Sequence, residues 1–262
     1  MTETTPLDRA HAQMQNAPND DAARLRFFER IADGELFLLL EEEPKPEGPV
    51  TPRLFEVEDQ KFALVFDREG RLADFAGAAP YVAMSGRVLV EMIAGSGIGL
   101  GLNLSVAPSE YLLPAQAVDW LHSTLGNTPQ ESQARPEEIA PPHGLPEVLI
   151  TALDTKLALA AGLAKLVYLA GVTYEGGLKS HLLAFVDPVP GSEDALARLV
   201  SEALIFSGVE AGVLDVAFFK ASDPICASFA RFGLRFDLPD LAREQSGPAA
   251  PGMDPDTPPK LR

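Results

Sequence analysis

The chain has a single cysteine in 262 residues, Cys226, so no intrachain disulfide can form. Cys226 follows Ile225 and precedes Phe229 in a stretch of helical spacing. That pattern fits a small buried hydrophobe better than a nucleophile. Histidine is nearly as scarce: His11, His122, His143 and His181. No two of them have the spacing of a zinc site. His11 falls in a short first helix expected to fray, His143 among prolines, and His181 in a strand where it would be half-buried. The sequence also lacks a G-x-S-x-G elbow, which leaves a hydrolase serine unsupported. No catalytic residue, metal site or cofactor is expected.

Positive charge is also short. Asp and Glu number 38 against 21 Lys and Arg, a net charge of −17, and no basic cluster interrupts the acidity. Such a chain repels phosphate backbones and anionic lipid, so neither nucleic acid nor a membrane surface is an expected partner. No basic segment followed by an apolar run opens the chain, so no signal peptide is expected and the cytoplasm is the expected location. The longest apolar stretch, residues 157–174, carries Lys165 at its middle. A charge there costs about 2.5–3.5 kcal/mol at a bilayer centre. With Gly162 and Gly171 it reads instead as a helix end, a turn and a strand.

What the chain does have is 46% hydrophobic residues, enough for packed cores. Its length suits one large or two small domains. The patterning predicts an α+β protein of two small sheet-plus-helix lobes. Residues 1–126 form the first. Thr5-Pro6 opens a helix, and Asn19 caps a second with Leu25, Phe28 and Ile31 inward and Arg24, Arg26, Glu29 and Arg30 in water. Leu36–Leu40 reads as a strand covered on both faces. A hairpin turning at Asp59-Gln60 follows, then helix, strand, helix, two extended stretches and a closing helix from Pro114, beside whose apolar stripe Trp120 reads as core. Residues 127–146, with five prolines, read as a linker. Residues 147–239 form the second lobe: helix, two strands, helix, strand, helix, strand, with Ser192 capping the clearest helix. Residues 240–262 read as a disordered tail. No internal repeat is visible.

One ordered series of residues stands out in the first lobe. It runs from Arg24-Leu25-Arg26-Phe27-Phe28 through Phe66-Asp67-Arg68-Glu69-Gly70-Arg71-Leu72 and Tyr81-Val82-Ala83-Met84-Ser85-Gly86-Arg87. It continues with Gly99-Leu100-Gly101-Leu102-Asn103 and Ser109-Glu110-Tyr111-Leu112-Leu113-Pro114. Over roughly residues 20–125 the chain resembles the N-terminal domain of the bacterial SseB family, named for enhanced serine sensitivity. The second lobe resembles the family's C-terminal domain in its order of elements. The resemblance implies a two-domain cytoplasmic protein and a loose link to amino-acid metabolism. It implies no catalytic residue or cofactor.

Gly95, Gly97, Gly99 and Gly101 alternate without the spacing of a phosphate loop, so they read as a strand against which another backbone packs. Glu41-Glu42-Glu43 and the Glu56/Glu58 pair read as solvated strand edges, since neighbouring acids on extended chain point to opposite faces. Arg87 and Asn103 are the candidate binding residues: each is polar and lies beside apolar sequence within the family-like series. Three functions compete. The first is a non-catalytic module for interaction with another protein. The second is a sensor for a small molecule of amino-acid type, bound in or between the lobes. The third is an enzyme of unfamiliar type, with a pocket near Arg87, Asn103 or His181.

Overall fold

A computed structural model describes residues 4–44, 48, 50–126, 136–209 and 214–238, and the features below belong to these residues. The first lobe contains helices α1 (Pro6–Asn16), α2 (Asp21–Asp33), α3 (Glu69–Ala76), α4 (Gly86–Ile93) and α5 (Ala115–Leu125). Its strands are β1 (Glu35–Leu39), β2 (Leu54–Val57), β3 (Gln60–Phe66), β4 (Tyr81–Ser85), β5 (Ile98–Leu102) and β6 (Tyr111–Leu113), ordered β4-β1-β3-β5-β6. β2 pairs with the first half of β3, and β1 with its last residues.

Period-two alternation sorts the strand side chains between two layers of helix. Leu36, Leu38, Ala63, Val65, Leu100 and Leu102 pack with α1, α2, α4 and α5. Leu39, Leu64 and Phe66 face Leu72 of α3 on the other side. Helix α4 lies unusually close to α2. A β-carbon at Gly86 would fall 1.8 Å from the Ile31 carbonyl oxygen, so only glycine permits this approach. Of the alternating glycines, Gly99 and Gly101 lie in β5 as expected, whereas Gly95 and Gly97 form the turn before it, both at φ 73° with open space around them. A β-carbon at Gly99 would meet the Leu113 carbonyl at 2.4 Å and the Phe62 ring at 2.7 Å.

The second lobe contains β7 (Pro136–Ala140), α6 (Glu147–Leu157), a 3-10 turn at Ala158–Ala160, β8 (Leu166–Tyr174), β9 (Lys179–Val186), α7 (Glu193–Ser207), β10 (Leu214–Phe219), α8 (Ile225–Phe232) and β11 (Leu234–Asp237). Its sheet runs β10-β9-β8-β11, with β7 on the β8 edge. One face packs on α6 and α7 and the other on α8.

No sequence repeat links the lobes, yet their sheets share a plan. In each, an antiparallel pair (β1 with β3, β8 with β9) gains a parallel neighbour (β5, β10) on one side. An antiparallel strand (β4, β11) lies on the other. The helix-rich faces then meet: α2 packs on α7, and Phe206 of α7 is fully buried within the first lobe's core.

Several sequence expectations need correction. Asp20, not Asn19, caps α2: its carboxylate accepts from the Ala22 N–H at 3.0 Å. The hairpin turns at Glu58-Asp59, both at positive φ (48° and 63°). Ser192 precedes α7 without capping it, because its Oγ donates to the Val189 carbonyl at 2.7 Å. Pro136–Ala140, within the stretch read as linker, is strand β7. Helix α1 is not frayed: Thr5 and Asp8 form a reciprocal capping box, and His11 is buried against Phe27 and Tyr111. Trp120 is 38% exposed rather than core, and packs on Phe28 and, across the lobes, on Phe206. The stretches 127–135 and 239–262, which include the expected tail, lie outside the described residues.

Candidate functional site

Two buried charge clusters and one cleft dominate the polar interior. The first cluster lies within the first lobe and is centred on Arg71 of α3. Its Nη1 donates to Asp8 Oδ1 at 3.0 Å and Asp67 Oδ1 at 2.7 Å, and its Nη2 donates to Asp8 Oδ2 at 2.5 Å. Neutral donors complete the carboxylates. Ser109 Oγ and the Thr5 N–H donate to Asp8 at 2.5 and 2.9 Å, and Thr5 Oγ1 donates to Asp67 at 2.7 Å. Burial alone would raise the Asp8 carboxyl, but Arg71, Ser109 and the Thr5 N–H hold it down at about 2.

The second cluster joins the lobes. Lys156 of α6 is 0% exposed. Its Nζ lies 2.6 Å from Asp33 Oδ2, 3.1 Å from Glu202 Oε2 and 3.3 Å from Glu29 Oε1. Glu29 and Asp33 come from α2 and Glu202 from α7. Arg87 of α4 closes the group. Its Nη1 and Nη2 donate to Glu202 at 2.8 and 2.6 Å, and its Nη2 donates to Asp33 at 2.5 Å. Those carboxylates, Glu202 foremost, hold the guanidinium charged more firmly than usual. Beneath Lys156 lies the Phe206 ring, its centroid 5.3 Å from Nζ.

Beside these clusters opens a cleft of about 800 Å³, within the range of small-molecule sites. Pro6, Leu7, Leu36 and Phe37 give it an apolar wall, and Thr155 and Leu159 reach it from the second lobe. Around the wall stand five carboxylates (Asp33, Glu35, Asp67, Glu69, Asp74) and three guanidinium groups (Arg30, Arg68, Arg71). Asp33, Asp67 and Arg71 are bound up in the clusters, and Glu69 accepts from the Tyr81 hydroxyl at 2.7 Å. Arg30, Glu35 and Asp74 make no ion pair among the described residues.

Residues 7–120 match the family model of the SseB protein N-terminal domain. Over those residues the first lobe is similar to the SseB N-terminal domain. No curated protein and no solved structure matches the chain.

Within the matched residues the two sequence candidates lie far apart in role. Arg87 sits in the inter-lobe cluster and also lines a smaller cavity of about 280 Å³ with Lys156, Arg198 and Glu202. Asn103 is 0% exposed, at φ 49° just after β5. Its Oδ1 accepts from the Asp67 N–H at 3.1 Å and its Nδ2 donates to Ser109 Oγ at 2.9 Å. It therefore props the Arg71 cluster from behind, while Asp67 and Arg71 face the cleft. His181 Nε2 donates to the His143 carbonyl, 2.9 Å away, and lines neither cavity. Cys226 is half-buried, and burial with the nearby Asp223 and Asp187 pushes its thiol up, away from thiolate.

Among the described residues, no group of three or more His, Cys, Asp or Glu is placed to hold a metal ion. Among them, too, no helix is long and apolar enough to cross a membrane.

Sequence reading missed Glu29, Asp33, Lys156 and Glu202 altogether. The signal was present. Lys156 sits on the stripe of Leu149, Leu153 and Leu157, and Glu202 lies among Val200, Ala203 and Phe206. A lone charge on an apolar stripe calls for a buried partner.

Proposed function

We propose that the protein binds, without catalysis, a small molecule bearing both an ammonium and a carboxylate, of amino-acid or short-peptide type, in the cleft between the lobes. The supporting observation is the cleft's lining: an apolar wall flanked by Arg30 and by Glu35 and Asp74, charges with no ion-pair partner among the described residues. A zwitterion with an apolar body complements that arrangement at both ends. Because Thr155 and Leu159 belong to the second lobe, such a ligand would bridge the two. The reading places the protein in the cytoplasm, among free amino acids and peptides.

Thermal unfolding of the full chain against amino acids, short peptides, simple amines and simple carboxylates tests it. A ligand at 100 times its Kd adds about 2.7 kcal/mol of stability. Zwitterions should raise the transition, and the rise should vanish in the Glu35→Gln/Asp74→Asn double variant. A flat response across the panel rejects the proposal.

A protein-interaction role has one observation in its favour. Val88 and Met92, one helical turn apart on α4, are 51% and 40% exposed. Capture of a stoichiometric partner that is lost on Val88→Glu would support that role over the first.

A further inference from the structure

The inter-lobe cluster holds one carboxylate more than it has cations within ion-pair distance. Glu29, Asp33 and Glu202 face two cations, Lys156 and Arg87. Asp33 and Glu202 each receive hydrogen bonds from both cations. Glu29 receives none at Oε1, although Nζ is only 3.3 Å away, and that oxygen is buried without a partner. The side chain of Lys156 is 0% exposed and that of Glu29 4%, so the ion pair they form lies inside the seam. A buried carboxylate oxygen that accepts no hydrogen bond favours the neutral acid.

We infer that Glu29 holds a proton when the lobes are docked, and that the dock is a proton-operated latch. With Glu29 neutral, two carboxylates meet two cations and the cluster balances. With Glu29 ionised, it carries a surplus negative charge on the seam between α2, α6 and α7. The groups facing Glu29 are Lys156 from α6 and Asp33 and Arg30 from its own helix, with Glu202 of α7 and Arg87 of α4 behind Lys156. Burial, the largest influence, favours the protonated form, and Lys156 only partly opposes it. The latch bears on the cleft because Asp33 belongs to both. It does not depend on the cleft having a ligand.

The sole tryptophan reports the dock directly, since Trp120 packs on Phe206 across the seam. Two measurements on the full chain test the inference. At neutral pH, infrared difference spectra of wild type against Glu29→Gln should show the carbonyl stretch of one protonated carboxyl in wild type only. As pH rises through the raised folded value of Glu29, Trp120 emission in wild type should shift to the red with the slope of a single proton. Glu29→Gln, which mimics the neutral acid, should keep the docked spectrum throughout. No protonated-carboxyl band at neutral pH overturns the inference. So does an alkaline shift of equal size in Glu29→Gln, or a wild-type spectrum that does not move.

Discussion

The two buried clusters begin with the same imbalance and resolve it differently. Around Arg71 two carboxylates meet one cation; around Lys156 and Arg87 three meet two. Each therefore has one acid in surplus. In the first cluster the surplus stays ionised because Ser109, Thr5 and the Thr5 N–H supply neutral donors. In the second no such donor reaches Glu29, and burial pushes its carboxyl up. A surplus buried carboxylate thus needs hydrogen-bond donors or a proton. The first solution suits a fixed core. The second suits a joint, because a proton can leave.

Removing the central cation should separate the clusters most strongly. Arg71→Met strands Asp8 and Asp67 inside one lobe, and breaking such a buried pair costs about 3–5 kcal/mol. Denaturant titration should show that loss for the whole first lobe. Lys156→Met leaves Asp33 and Glu202 to share Arg87, and the lobes can part and admit water. Its cost should be smaller, with red-shifted Trp120 emission before unfolding. Equal losses with no early Trp120 change would erase the distinction.

The clusters should also govern opposite ends of the pH–stability curve. Asp8 is depressed from 3.8 to about 2, so its contribution is complete above its unfolded value and is lost as pH falls through 2. It amounts to about 2 kcal/mol. Glu29 is raised, so its contribution is present at low pH and is lost as pH rises through its folded value. Ser109→Ala should move the acid limb upward and leave the alkaline limb alone; Glu29→Gln should do the reverse. Either variant moving both limbs would show that the clusters are coupled.

Asn103 tests the neutral donors from a second direction. Asn103→Ala removes two buried hydrogen bonds and places alanine at φ 49°, costing about 2–3 kcal/mol. Asn103→Gly removes the same bonds but tolerates the backbone, so it should cost about 1 kcal/mol less. Equal losses would assign the whole effect to the side chain.

The elements of both lobes were legible because alternation and helical spacing are local signals. Strands β1 (Glu35–Leu39), β5 (Ile98–Leu102) and β6 (Tyr111–Leu113) and helix α7 (Glu193–Ser207) follow them closely. The clusters were not legible, because their members are far apart in the chain: Asp8 and Arg71 by 63 residues, Arg87 and Glu202 by 115. Glu29 looked solvated among Arg24, Arg26 and Arg30, yet the second lobe covers it. Arg87 and Asn103 stood out in the sequence, and each proves to belong to one of the two clusters. The cleft itself was invisible, since its two lobes approach only through tertiary packing.

The smallest expected effect lies outside both clusters and serves as their control. Glu58 and Asp59 turn the β2–β3 hairpin at φ 48° and 63°, a left-handed conformation that two-residue hairpins favour and that glycine adopts most readily. Asp59→Gly should relieve local strain, partly offset by the greater freedom of glycine in the unfolded chain, for a net gain of about 0.5 kcal/mol. Neither residue touches Arg71 or Lys156, so the whole pH–stability curve should rise without either limb moving. A limb that did move would mean that the first lobe's general stability, rather than its buried carboxylates, sets the pH response, and the contrast between the two clusters would lose its physical basis.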